Sequence, residues 1–298
     1  MELTKHLYNL HKEEDKTWRS WIRANGKNLG KKFYQALNTI KKSENKNFQV
    51  IANEFGITYK MLQEWIHGNK AIPLWILKIF EEKTGFNLRD EIDFLKVYGS
   101  QDIKKPTLCR EYIEVIGRHC GDGSCSFYNG TYRVNIKETK SLLKQHKKDL
   151  KNILGINIKI KKEQRTYLIN VDSKVYYRIL TEIFKIPSGN EKTYKVKEPL
   201  LIKKLSIEQR KYFLRGLIDT DGWIYYNKKN KSFMLGFKVV NKNLAKDVYN
   251  LFKSLEINAK KKNKGKYFQV EVVGKKNIQK YLQVVGSKNN RVLNKFSV

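Results

Sequence analysis

The sequence predicts an α+β fold: two pseudo-symmetric αββαββα repeats forming a basic β-saddle, preceded by a small all-α domain of the helix-turn-helix type. Three observations carry that expectation. Segments about a hundred residues apart echo one another, several short stretches alternate apolar and polar residues, and the first hundred residues hold helix-spaced apolar positions punctuated by glycine. The domains expected are a helical region over 1–100, with the helix-turn-helix part at about 46–96, a first repeat over 106–202 and a second over 203–298.

In chain order, residues 1–45 read as mostly helical and basic, without an assignable role. NFQVIANEFGITYKMLQEWIHGNKAIP then predicts a helix, a tight turn at Gly56 and a second helix from Thr58. Ile51, Ala52, Phe55, Ile57, Leu62, Trp65 and Ile66 supply its core. Tyr59, Lys60 and Gln63 stay exposed on the second helix, where a DNA-reading helix presents its side chains. IPLWILKIFEEKTG adds a third helix ending near Gly85, and YGSQDIKKP, residues 98–106, reads as a linker.

The repeats declare themselves at their helix ends. YIEVIGRHCGDGS and FLRGLIDTDGW both close an apolar segment on an acid followed by glycine, placing Asp122 on Asp221 and Gly117 on Gly216 at a shift of 99 residues. LKNILGINIKIKK echoes LFKSLEINAKKKN at a shift of 101, and EKTYKV around Lys192 echoes SKNNRV around Lys288 at 96. Ser206 is the expected N-cap of the second motif helix, with Gln209 closing a capping box. Gly222 is expected to take a left-handed turn at its end. An acid there opposes the helix dipole at a cost of roughly 0.3–1 kcal/mol, so Asp122 and Asp221 both ask for a positive partner.

The strands follow by alternation. YRVNIK puts Tyr132, Val134 and Ile136 on one face and Arg133, Asn135 and Lys137 on the other; INIKIKK turns its isoleucines inward and Lys159 and Lys161 outward. In the second repeat WIYYN and FMLGFKVV are the first two strands, with Lys238 on the open face and Tyr225, Asn227 and Lys229 nearby. A sheet with one apolar face and one basic, amide-rich face is suited to reading DNA bases in the major groove. Gly117 and Gly216 would let the two motif helices approach closely and bring both aspartates together. Two carboxylates at two negative helix ends suit Mg²⁺, and metal-assisted phosphodiester hydrolysis uses such a site.

These residues amount to a resemblance. LRGLIDTDG matches the LAGLIDADG signature except at Arg215 and Thr220, and VIGRHCGDG is a weaker copy that keeps the glycine and the final Asp-Gly. Over roughly residues 106–298 the chain resembles the single-chain, two-motif LAGLIDADG homing endonucleases. The resemblance implies cleavage of both strands of a long, asymmetric double-stranded DNA site with Mg²⁺, for which Mn²⁺ can substitute, as in intron homing. It implies that Asp122 and Asp221 carry metal, assisted by the carbonyls of Gly121 and Thr220. It further implies a basic residue near each scissile phosphate, Lys192 and Lys288, and a water-positioning polar residue after the second strand. Asn241 fits that last role in the second repeat, and Lys140 or Lys137 in the first. Cys120 replaces the motif's first aspartate, a mainly structural position, and His119 reads as packing.

Composition narrows the class. The 298 residues carry 61 Lys and Arg against 29 Asp and Glu, a net charge of +32 that favours a polyanionic partner, nucleic acid first. Three cysteines, Cys109, Cys120 and Cys125, are too few for a disulfide framework, and with His119 they lack a second ligand pair at zinc-finger spacing. No membrane-spanning run or signal peptide is apparent, so the expectation is a cytoplasmic monomer whose duplication already builds the pseudo-dimer. Met1 and the NKFSV ending argue against an intein-embedded origin. Two other readings remain open: a non-cleaving DNA-binding regulator and an RNA-splicing maturase.

Overall fold

The computed structural model describes residues 3–229 and 231–296. The chain forms two compact units, one of residues up to Thr107 with Leu154–Ile156, the other of Leu108–Ile153 with Asn157 onward.

The N-terminal unit contains β1 (Arg23–Asn25), α1 (Leu29–Ser43), α2 (Phe48–Glu54), α3 (Tyr59–Ile66), β2 (Ile72–Pro73), α4 (Leu74–Thr84), β3 (Phe94–Lys96) and β4 (Ile103–Lys104). The side chains of Asn47 and Thr58 cap α2 and α3 by accepting from Val50 N and Met61 N, and Gly56 turns the chain at φ +63°. Ile51, Ala52, Ile57, Leu62 and Trp65 are buried, Phe55 and Ile66 half-buried, and Tyr59, Lys60 and Gln63 exposed. Gly85 ends α4 in the left-handed region. The unit is not all-α, however. Its strands form a sheet in the order β2-β1-β3-β4, and fully buried Ile103 pairs with Leu95, so part of the expected linker is an edge strand. Strands of two or three residues are too short to display alternation, which hid them in the sequence.

The larger unit reads αββαββα twice. The first copy runs α5 (Arg110–Cys120), β5 (Gly123–Tyr128), β6 (Thr131–Glu138), α6 (Lys140–Leu154), β7 (Ile160–Glu163), β8 (Thr166–Asp172) and α7 (Lys174–Arg178). Two short helices, α8 (Lys192–Lys195) and α9 (Leu200–Lys203), lead to the second copy. That copy holds α10 (Ile207–Asp221), β9 (Gly222–Asn227), β10 (Ser232–Val239), α11 (Lys242–Ser254), β11 (Ala259–Asn263), β12 (Phe268–Val273) and α12 (Lys275–Val284), with α13 (Asn290–Phe296) after it. The two antiparallel sheets repeat one order, β5-β6-β8-β7 and β9-β10-β12-β11. Ile136 opposes Ile169 on the covered face, while Lys137, Leu168 and Lys161 align on the open one. Pairing of the INIKIKK stretch begins only at Ile160; Ile156 and Ile158 are buried from the preceding loop.

The end of α10 differs from expectation. Ser206 Oγ does accept from Gln209 N at 3.3 Å, but Gly222 is extended, with φ −80° and ψ 160°, and the helix runs straight into β9. Glycine is required there for space rather than handedness, because a Cβ would collide with the Ile218 carbonyl. No helix among the described residues is long and apolar enough to cross a membrane.

Candidate active site

The site begins with two glycines. A Cβ on Gly117 of α5 would strike the Phe213 carbonyl of α10, and one on Gly216 would strike the Glu114 carbonyl of α5. The helices therefore touch backbone to backbone, as the repeat register predicts, and their C-terminal ends lie side by side. Gly121 abuts Thr220 and the Asp221 carboxyl.

Asp122 and Asp221 consequently meet in hydrogen-bonding contact. Asp122 is solvent-accessible but flanked closely by protein; that enclosure first, and the neighbouring Asp221 charge second, push its pKa up to about 6. Burial also raises Asp221, opposed by the bond from Asp122 and by the charge of Lys192. A third carboxyl joins them. Glu138, at the end of β6, is buried, accepts from Thr139 N at 2.6 Å and Arg291 Nη2 at 2.7 Å, and contacts Asp122. Its pKa is raised by burial.

Sequence reasoning missed Glu138. Its signal was parity: it shares the inward face of β6 with Val134 and Ile136, and an acid at an apolar-face position needs a reason.

Lys192 stands on the other side. Its ammonium donates to the carbonyls of Gly121 and Gly123, and burial lowers its pKa against the opposing pull of Cys120, Asp221 and Asp122. With Asp221, Lys238 and Tyr267 it lines an open cavity of about 410 Å³. The donor chemistry fits a hard divalent cation: two adjoining carboxylates whose mutual repulsion a cation would relieve, with backbone carbonyls beside them. Among the described residues no group of three or more His, Cys, Asp or Glu is arranged to hold a metal.

Residues 208–286 match the family model of a LAGLIDADG-like domain. The second repeat is thus similar to LAGLIDADG-like domains. Among solved structures, the homing endonuclease I-DmoI in complex with DNA and Mn is 19% identical, covers 60% of this chain and 98% of its own, and gives a TM-score of 0.46. I-WcaI bound to its DNA recognition sequence is 16% identical, covering 64% and 88%, at 0.46. The N-terminal LAGLIDADG domain of DUF199/WhiA is also 16% identical, covering 60% and 82%, at 0.40. No curated protein matches the chain in sequence.

Within the LAGLIDADG motif the two aspartates divide the work. Asp219 is fully buried and clamps the segment after α12, accepting from Ser287 Oγ at 2.5 Å and Lys288 N at 2.8 Å. Lys288 itself is not brought to the aspartate pair. Its Nζ lies 3.1 Å from Glu114 and 3.7 Å from Asp149, drawn into a buried network with Arg118 and Arg215. Burial alone would raise Glu114, but Arg118, Arg215 and Lys288 outweigh it and hold its pKa below the usual carboxylate range. Arg215, the motif's departure at its second position, is thus a cation for Glu114.

Asn241 is likewise occupied: its Oδ1 caps α11 by accepting from Asn243 N and Leu244 N, and its Nδ2 donates to the Tyr194 carbonyl. Lys137 pairs with Glu163 on the open face, and Lys140 lies over the Tyr167 ring. His119 is buried, with Nε2 2.7 Å from the Tyr176 hydroxyl, and Cys120 and Cys125 are buried free thiols. The Thr220 hydroxyl donates back to Gly216 O within α10.

The open sheet faces carry most of the expected DNA-facing residues. Arg133, Lys137, Lys159, Lys161, Tyr225, Lys229 and Lys238 are exposed; Asn135 and Asn227 are half-buried. Arg133 is matched by Asp172 at 2.7 Å, so this face is less uniformly basic than the lysine count suggests. Asn135 opposes Asn170, and the Oδ1 of each is buried without a hydrogen-bond partner. In the second sheet Trp223 lies across Gly236, where any Cβ would strike its ring, and shares the open face with Tyr225 and Lys238.

Proposed function

We propose that the protein is a divalent-metal-dependent endonuclease that cuts both strands of a long, asymmetric DNA duplex and acts as a monomer. The observation that carries this reading is the contact between Asp122 and Asp221 at the ends of two helices packed glycine to glycine. Asp122 and Asp221, with the carbonyls of Gly121 and Thr220, would hold the cation. When bound, Mg²⁺ there supplies an activated water and neutralises charge on the leaving oxygen.

The open faces with Arg133, Asn135, Lys137, Lys159, Lys161, Tyr225, Asn227, Lys229 and Lys238 receive the duplex. Lys192 presents a positive charge beside the pair, facing the phosphate to be cut. Glu138, held by Thr139 N–H and Arg291, stands next to Asp122 where it can accept a proton from water. Lys288 and Asn241 act through structure instead, one bracing the helix seam and the other capping α11. Tyr59, Lys60 and Gln63, exposed on α3, favour additional DNA contact by the N-terminal unit, and they equally suit a binder that does not cut.

Selection from a randomised duplex library with Mg²⁺ separates the two. The wild type should enrich a long site and cut both strands, while Asp122→Asn and Asp221→Asn bind it with cleavage lower by about two orders of magnitude or more. A site enriched by binding but never cut with Mg²⁺ or Mn²⁺ would establish the non-cleaving binder.

A further inference from the structure

The N-terminal unit contains a hollow that the proposed cutting site does not use. It measures about 310 Å³ and is lined by Trp18, Trp21, Trp65 and Tyr98 together with Arg23 and Lys96. That is the small end of the roughly 300–1,000 Å³ usual for ligand pockets, so it suits one compact group rather than a long chain. Three of the five tryptophans in the sequence converge here. Trp65 is buried, at 2% exposure, whereas Trp18 and Tyr98 stay 45% and 58% exposed. Their rings meet at 74° with centroids 4.6 Å apart, giving the hollow an aromatic corner. The guanidinium carbons of Arg19 and Arg23 lie 5.4 and 5.6 Å from the Trp18 ring centre.

Chemistry narrows the occupant. Large aromatic surfaces left in water lose the gain of burial, which a flat ligand would recover. The surrounding cations disfavour a positively charged ligand and leave an aliphatic one without a partner for them. Lys70 and Lys96 pair with Glu64 at 3.2 Å and Asp102 at 3.5 Å, partly exposed ion pairs that a phosphate can replace. The Asn25 and Asn69 side chains add amide groups that can meet the edge of a heterocycle.

We propose that this hollow binds an unstacked nucleobase together with its phosphate, one nucleotide of a single-stranded DNA or RNA segment. Aromatic faces flanked by basic side chains are the usual platform for single strands. The site is separate from the duplex-cutting reading, and either can fail without the other.

The test uses the full-length protein in EDTA, with oligonucleotides about eight nucleotides long. The probes are oligo-dT, oligo-U and an abasic strand of equal charge, followed by tryptophan quenching and by anisotropy of a labelled strand. Oligo-dT, oligo-U or both should bind about tenfold or more tighter than the abasic strand, their ratio showing which strand type is preferred. Trp18→Ala and Tyr98→Ala should each remove most of that advantage while leaving duplex binding unchanged. Tyr98→Phe should retain it, and the exposure of both rings keeps these variants folded. Equal affinity for the abasic strand, or an undiminished advantage in both alanine variants, would overturn the assignment.

Discussion

Asp122 and Asp221 sit where an isolated helix would least tolerate acids, and their environment keeps a proton in play. Asp122, with its pKa pushed up to about 6, is stabilised in the metal-free protein at low pH; that contribution is lost as pH rises from the ordinary carboxylate range through about 6. A divalent cation favours the ionised form and so acts in the opposite sense. The rise in melting temperature produced by Mg²⁺ should therefore be small near about pH 5 and grow toward about pH 7.5. A rise independent of pH, or one retained in Asp122→Asn, would count against the pair as the cation site. The two acids were readable in the sequence because Asp-Gly endings recur at one shift. Glu138 was readable only by strand parity, and the capture of Lys288 by Glu114 and Asp149 was not, because three elements must fold before those charges meet.

The helix seam of α5 and α10 does the positioning. Gly216→Ala would press a methyl group into the Glu114 carbonyl and the Arg118 amide. Overpacking of this kind costs about 1–3 kcal/mol, and here it also separates the two acids. Thermal unfolding should show the loss of stability, and cleavage should fall further than stability alone explains; a variant with unchanged melting and activity would mean that the seam is looser than its backbone contacts indicate. Gly117 and Gly216 announced this seam through matching positions in the two copies. The short strands of the N-terminal unit announced nothing, since Arg23–Asn25 and Ile103–Lys104 pair through backbone groups that composition does not reveal. Gly222 shows the opposite error: a glycine after a helix suggested a left-handed cap, yet the following strand leaves no turn to make.

At the scale of the whole molecule, a net charge of +32 and two sheets with lysine-bearing open faces set the terms for binding a polyanion. Duplex affinity should fall steeply with salt, with log K dropping by about 0.9 per phosphate neutralised for each tenfold rise in concentration. Lys161→Ala should lower that slope by about one without altering which site is enriched, as footprinting across a salt series can establish. A slope near zero would mean that the charge is dispersed rather than presented to DNA. The duplicated architecture was legible from its echoes, whereas the Arg133–Asp172 pairing that tempers one basic face depended on strand register. The proposed cutting reaction depends on metal at the junction of the two copies. Electron paramagnetic resonance of Mn²⁺ titrated into the protein with its selected duplex tests that most directly. Wild type should bind ions that both Asp122→Asn and Asp221→Asn weaken or lose, and unchanged Mn²⁺ binding in both variants would contradict the aspartate pair as the metal centre.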